Sequence, residues 1–461
     1  MILNNSVTFV SAGLEKPKKR DNILARRQQY LNYGALTLAT ILDVKGYSVK
    51  LYHGGHAPPG FFARKLFKDG RLGSCYPLML SMQSYYALSW VKIFTESVKK
   101  ISPSTRIVVG GRWVVGPDPI WLKEQLPFVD EIIDGLAEDK VVRIVENENS
   151  GHIPISNSSA VEFVLNHRLI DNFNDFQPNV EASRGCGMGC DFCEERDIPL
   201  TPLKRPDLLA RQLQDVALQY EDNSVRPYVQ SSFFAPNKKW SEDFLSASSK
   251  NKGKVQWRCE TRVDSIKPSS VSALAEGGLK AIDLGLESAS PTQILRMKKS
   301  KDPERYLRLA SDFLHACRDN DIWVKVNFLI YAGENKKTYE ESLAWLDEHS
   351  DCIKGISVGP VVVFGSPRSA KNYISNIRDA GGELVDPATL QKSGIAHIHP
   401  SSEISCDEAE KISLDTSRRY MTKSDYFDLK SFSYYPRSYK YSDFIRDVNQ
   451  NGADNLPFSV V

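Results

Sequence analysis

The chain has 461 residues, 41% of them hydrophobic, enough for two or three domains each with its own core. Its 59 Lys+Arg against 57 Asp+Glu leave a net charge of only +2, so it carries no built-in attraction for a polyanion, and nucleic acid is not the expected partner. No apolar run reaches bilayer length, the N-terminal stretch has no basic leader, and the eight cysteines form no disulfide framework; the expectation is a soluble cytoplasmic protein in a reducing compartment, without a membrane partner.

Up to about residue 150, strand-like and helix-like stretches alternate. The runs 6–10, 47–52, 76–82, 106–109 and 131–133 read as strands, and 33–45 and 87–98 as helices. This pattern predicts a parallel sheet covered by helices. The strand over 106–109 ends in Gly110-Gly111, where a ligand can approach the backbone closely. His53 and His56 follow the second strand and read as solvated loop residues. Residues 151–175 are rich in Ser, Asn and Asp and read as a linker.

Near residue 178 a second βα series begins. Strands are expected over 225–233, 255–258, 281–286, 322–330 and 355–363, with helices over 206–220, 270–276, 303–320 and 336–349. With the strand that opens the series, this makes six βα units. Just after that first strand stands Cys186-Gly-Met-Gly-Cys190-Asp-Phe192-Cys193. Three thiolates at C-x3-C-x2-C spacing on one short loop can hold three irons of a cubane and leave the fourth open, whereas cluster relays normally use four cysteines. A zinc site needs a fourth ligand close by, and the next cysteine is Cys259. The other five cysteines are scattered singly and read as structural. Beyond residue 365 the chain is rich in aromatics, from Tyr420 to Phe444, suited either to covering the barrel or to packing a small helical appendage.

The cysteine loop, with Phe192 before its last cysteine, resembles that of the radical S-adenosylmethionine (radical SAM) enzymes. The first 150 residues are similar to the cobalamin-binding-type domain that precedes the barrel in one branch of that superfamily, on the strength of Gly34-Ala-Leu-Thr-Leu-Ala, Gly110-Gly111 and the stretch from Val129 to Glu138. The histidine signature of a ligated corrin is absent. The resemblance implies an α/β chain: a Rossmann-like domain over 1–150, the linker, a partial (βα)6 TIM-type barrel over 176–364, and a C-terminal cap and substrate-binding region over 365–461. It implies a [4Fe-4S] cluster on Cys186, Cys190 and Cys193, S-adenosylmethionine on its open iron, and an external electron donor such as flavodoxin or ferredoxin.

It also implies cofactor contacts. Glu287 and Ser288 end a barrel strand where relatives bind the ribose or the methionine ammonium. Lys299 matches a position that pairs with the methionine carboxylate. Arg262 suits a carboxylate of cofactor or substrate, or an ion pair with Asp264 or Glu260. Ser232, in Ser231-Ser232-Phe-Phe, stands where relatives often carry an acidic pair. Tyr331 stands where relatives commonly have glycine in the adenine-contacting strand. Ser81, Gly110 and Gly111 would meet a corrin, if the first domain holds one. The expected reaction is then cobalamin-assisted methylation of a small-molecule or natural-product substrate. An empty domain would favour radical dehydration, epimerisation or rearrangement of a small metabolite, and a non-enzymatic iron–sulfur scaffold is a third reading. No catalytic residue is assigned. Methylthiolation of tRNA would need a second three-cysteine cluster, and the first domain has only Cys75.

Overall fold

The structure, a computed structural model, describes residues 5–18, 20–147, 161–251, 254–451 and 455–459. The first part of the expected linker, 151–160, lies outside them.

The N-terminal sheet contains β1 (Ser6–Ser11), β2 (Ser48–His53), β3 (Leu78–Ser81), β4 (Ile107–Gly110) and β5 (Glu131–Ile132), all parallel, in the order β2-β1-β3-β4-β5. The order reverses between β1 and β3, the topological switch point where open α/β sheets place ligands beyond their strand ends. Both faces are covered. Leu36, Ala39 and Leu42 of the helix Tyr33–Val44 pack on one side. Trp90, Val91, Phe94 and Val98 of the helix Leu88–Ile101 pack on the other.

Residues 161–176 are not a free tether. Leu165, Leu169, Ile170 and Phe176 are buried in the first domain's core, and Ile170 bridges to Leu51 beside β2. Apolar residues interspersed among Asn and Asp escape a reading that weighs polarity alone.

The second sheet is the partial barrel: β6 (Asn179–Glu181), β7 (Tyr228–Gln230), β8 (Trp257–Arg262), β9 (Leu279–Glu287), β10 (Trp323–Ile330) and β11 (Gly355–Pro360), parallel and in sequential order. Alternation along the strands sorts its two faces. In β10, Val324, Val326, Phe328 and Ile330 are buried under the helices, while Lys325 and Asn327 face inward and are half-buried. In β8, Cys259 and Thr261 point outward and Arg258, Glu260 and Arg262 inward. The lumen is therefore polar and the apolar core lies between sheet and helices.

Three expected strands differ most, the first being 255–258, which continues to Arg262 as β8. The run 225–233 shortens to β7 because Pro227 has no N–H for the ladder. The run 355–363 splits after Pro360: Val362–Phe364 becomes β12 of a three-stranded antiparallel sheet with β13 (Glu383–Leu384) and β14 (Ile395–His399). The C-terminal region is thus a small sheet plus helices rather than a helical appendage. Most of its aromatics, including Tyr426, Tyr435, Phe444 and Phe458, form their own core with Leu24 from the N-terminal segment. Tyr434 instead lies under the Arg258 guanidinium of the barrel.

Candidate active site at the cysteine loop

The three cysteines lie on the loop that leaves the C-terminal end of β6, the end at which barrels of this type carry chemistry. The loop turns back on itself through Cys186 N–H to the Ile198 carbonyl (2.9 Å) and Gly189 N–H to the Arg196 carbonyl (3.1 Å). Gly185 has φ +74°, and a Cβ there would stand 2.2 Å from the Pro199 carbonyl oxygen, so only glycine fits.

Each sulfur receives an N–H donor. Arg262 Nη1 donates to Cys190 Sγ at 2.9 Å, the Glu195 backbone N–H to Cys193 Sγ at 3.4 Å, and the Met188 backbone N–H to Cys186. Burial pushes the Cys193 thiol up to about 12 and that of Cys186 upward, so thiolates here need a metal's positive charge. Among the described residues no trio of Cys, His, Asp or Glu is gathered tightly enough to chelate one ion. The donor set, three thiolates each with its own hydrogen bond, fits a cluster whose irons are held one per cysteine.

Four of the expected cofactor contacts converge on this loop. Lys299 Nζ lies 3.3 Å from Glu287 Oε1 and 5.7 Å from the Phe192 ring centre, and both charged side chains are buried. Glu287 has φ +67° at the end of β9, where the register with β10 shifts, a strained conformation for a non-glycine residue. Arg262 grips Asp264 with Nε and Nη2 (2.9 and 3.1 Å) and also donates to the Lys299 carbonyl. The guanidinium thus joins the expected ion pair and a cysteine sulfur in one contact.

Ser288 is turned inward, within hydrogen-bonding distance of Ser342 Oγ at 3.2 Å and accepting from the Ser290 N–H. Ser232 is exposed, whereas Ser231 is buried against Ser183 Oγ at 2.6 Å. At the first domain's edge, Ser81 Oγ accepts from Asn32 Nδ2 (2.9 Å), and Gly111 presses on Met82, whose carbonyl oxygen would lie 2.0 Å from a Cβ. Internal packing therefore accounts for Gly111. Gly110 stands clear, with the Ile133 oxygen 3.9 Å from its Cβ position. His53 and His56 are half-buried and engaged rather than free in a loop: His53 Nε2 accepts from the Asn32 N–H and its ring packs on Phe176, while His56 Nδ1 meets the Leu14 carbonyl.

Sequence reading missed Asp191. Its buried carboxylate accepts from Tyr331 Oη (2.8 Å), Asn376 Nδ2 (2.8 Å) and Lys298 Nζ (3.1 Å), tying the loop to β10's end, the cap and the turn before Lys299. Its position between Cys190 and Phe192 was the available signal. Arg184 makes a second tie, with ion pairs to Glu181 (2.7 Å) and to Glu138 of the first domain (2.8 Å).

Residues 180–346 match the model of the radical SAM superfamily. An uncharacterised methyltransferase of Pyrococcus horikoshii is 28% identical over 235 residues, 45% of this chain and about half the length of that relative. Among solved structures, TsrM of Kitasatospora setae, a radical S-adenosylmethionine methyltransferase bound to tryptophan and a SAM analogue, superposes with a TM-score of 0.60 at 13% identity, over 83% of this chain and 79% of that one. OxsB, a cobalamin-dependent S-adenosylmethionine radical enzyme, gives 0.56 at 16% identity, over 86% and 57%. Residues 180–346 therefore correspond to the radical SAM domain. The chain shares its two-domain fold with those structures, and the segment matched by the family model is the one that carries the cysteine loop. Among the described residues no helix is long and apolar enough to cross a membrane.

Proposed function

We propose that the chain is a radical SAM enzyme that methylates a small-molecule substrate with the help of cobalamin. The observation that carries the reading is the cysteine loop at the barrel's C-terminal end, with a hydrogen-bond donor on each sulfur and the Glu287–Lys299 pair and Arg262 beside it. The cluster and S-adenosylmethionine, when bound, supply the one-electron chemistry. The chain's own residues bind and orient: the three cysteines hold the irons, Lys299 offers a cation to a carboxylate, and Glu287 offers a carboxylate to an ammonium or hydroxyl. Burial of this pair makes its charges selective for a ligand that can replace each by the other. Likeness to the folds of TsrM and OxsB over both domains supports methylation and a corrin in the first domain.

The cobalamin-free alternative, a dehydratase, epimerase or mutase, draws on one observation: Ser81 and Gly111, two of three expected corrin contacts, are engaged inside the protein. One experiment decides between them. Anaerobically reconstituted protein should hold about four irons, cleave S-adenosylmethionine when reduced, and retain hydroxocobalamin supplied during expression. Cleavage without corrin uptake moves the assignment to the alternative, and no cleavage rejects both.

A further inference from the structure

Below the cofactor site, the lumen is lined by inward side chains in register across adjacent strands. Glu260 of β8 pairs with Asp283 of β9, which pairs with Lys325 of β10. One rung nearer the cluster loop, the same strands carry Arg262, Gly285 and Asn327. Gly285 contributes no side chain, which lets the Glu287–Lys299 pair settle over it: a Cβ there would stand 2.9 Å from Glu287 Oε1 and 3.3 Å from Lys299 Nζ, so that pair lies directly above the Glu260 rung. Two residues of strand rise about 7 Å, so the Glu260 carboxylate stands one side-chain layer below the guanidinium that touches Cys190.

The charges of the Glu260 rung and of Arg258 below it are accounted for, save one. Asp283 accepts both Arg258 nitrogens (2.6 and 2.7 Å) and lies 2.6 Å from Lys325 Nζ. Burial alone would raise the Asp283 carboxyl, but these two cations hold it well below the usual carboxylate range. Arg258 and Lys325 are thereby committed to Asp283. Glu260 makes no hydrogen bond or ion pair among the described residues, although its side chain is accessible within the lumen. The aromatic rings of Tyr228, Tyr434 and Tyr30 adjoin the floor: Tyr434 lies 6.3 Å from Tyr228 and 5.1 Å from Tyr30 between ring centres. Ring faces of this kind attract cations, and Tyr434 already carries the Arg258 guanidinium at 5.0 Å and Lys430 Nζ at 5.2 Å.

We infer that Glu260 is a specificity-determining residue that receives a protonated amine of the substrate, presented over the tyrosine-lined floor and beneath the cofactor site. The inference rests on the proposed radical SAM reading, and it narrows the substrate to amines. An unpaired carboxylate in a chamber walled by protein is costly unless a ligand completes it. That cost is visible in its protonation: desolvation, then Asp283 and Glu287, raise the carboxyl to about 7 against the opposing pull of Lys325 and Lys299. The Tyr228 hydroxyl donates to Asp283 Oδ2 at 3.0 Å, and it and the Tyr434 hydroxyl stay neutral, burial holding both well above the ordinary tyrosine value.

The test uses the reconstituted full-length holoenzyme with S-adenosylmethionine present and two probes of one shape, tyramine and 4-propylphenol, by anaerobic equilibrium dialysis. At pH 8 the wild type should bind the cationic probe on the order of ten-fold or more tighter, as expected for a charge-assisted hydrogen bond. Glu260→Gln, checked by iron content and circular dichroism, should bind both alike. In the wild type the preference should shrink at pH 6, as the carboxylate is protonated, which gives a measurement independent of that variant's folding. Equal binding of the probes by wild type at pH 8, or a preference that survives Glu260→Gln, overturns the inference. Reductive cleavage of S-adenosylmethionine is read separately, so failure of the enzyme reading and failure of the amine subsite are told apart.

Discussion

Arg262 and Asp264 should set the reduction potential of the cluster in opposite directions. Arg262 Nη1 is 2.9 Å from Cys190 Sγ, and Asp264 holds the other edge of the same guanidinium at 2.9 and 3.1 Å. An electron added to the cluster sits on the order of 6 Å from the guanidinium centre; at an effective dielectric of about 20 the attraction is roughly 2.8 kcal/mol, or about 120 mV for a one-electron couple. Asp264, at roughly 10 Å, opposes it by about 1.7 kcal/mol, or about 70 mV. Arg262→Gln should therefore lower the potential by about 120 mV, Asp264→Asn raise it by about 70 mV, and the double variant fall between them, about 50 mV below wild type. The assay is redox titration of reconstituted protein followed by electron paramagnetic resonance, with iron content as the control for loading. Single variants that move the potential in the same direction, or an Arg262→Gln potential equal to wild type, would refute the reasoning.

Other outcomes follow from the same geometry. Replacing Cys186, Cys190 and Cys193 together by Ala should abolish the cluster's charge-transfer absorbance. Single Ser substitutions at Cys259, Cys317 or Cys352, all buried in the barrel core, should keep the iron while lowering stability by roughly 1–3 kcal/mol, because a hydroxyl is left among apolar neighbours. His167 is fully buried, and desolvation lowers it to about 4 against the hydrogen bonds of Gln219 and the Leu165 carbonyl. The folded state therefore binds fewer protons than the unfolded one, so stability falls as pH drops from about 6.5 toward 4. His167→Gln should remove about 2 kcal/mol of the loss measured by urea unfolding between pH 7 and pH 5. Hydroxocobalamin, if retained, should be base-off, with a spectrum unchanged by His53→Ala, since the His53 Nε2 already accepts the Asn32 N–H.

Much of this architecture was legible in order but not in edges. The six parallel barrel strands were readable because Val, Ile and Leu recur where helices cover the sheet, as in 281–286 and 322–330. The apolar run of β8 stops at Arg258, because Glu260 and Arg262 are inward-facing and charged; the residues that hide the strand's end are those that face the lumen. Phe192, Arg262, Glu287 and Lys299 were found because they sit at strand ends or beside the cysteines, and the structure gathers them. Ser232 and Ser288 share the same local signals yet point elsewhere, one outward and one to Ser342, because orientation at a strand end depends on a single residue of register. No spacing rule could have joined Asp191 to Tyr331 and Asn376, 140 and 185 positions away.

That last cluster explains how a tyrosine is accommodated at position 331. Its ring is buried and meets Phe192 edge-on, with ring centres 6.5 Å apart, and its hydroxyl is satisfied by Asp191. A bulky side chain there would otherwise leave a buried polar group unpaired. Instead the tyrosine, Asn376 of the cap and Lys298 all converge on one carboxylate in the middle of the cysteine loop, while the Asp191 N–H reaches the Met297 carbonyl. On the loop's other flank Arg184 spans to Glu138 of the first domain. A loop that must offer three sulfurs in fixed relation gains little rigidity from its glycines. Here that rigidity comes from charged contacts to the first domain, the barrel and the cap, so the position of the cysteines depends on all three parts of the chain.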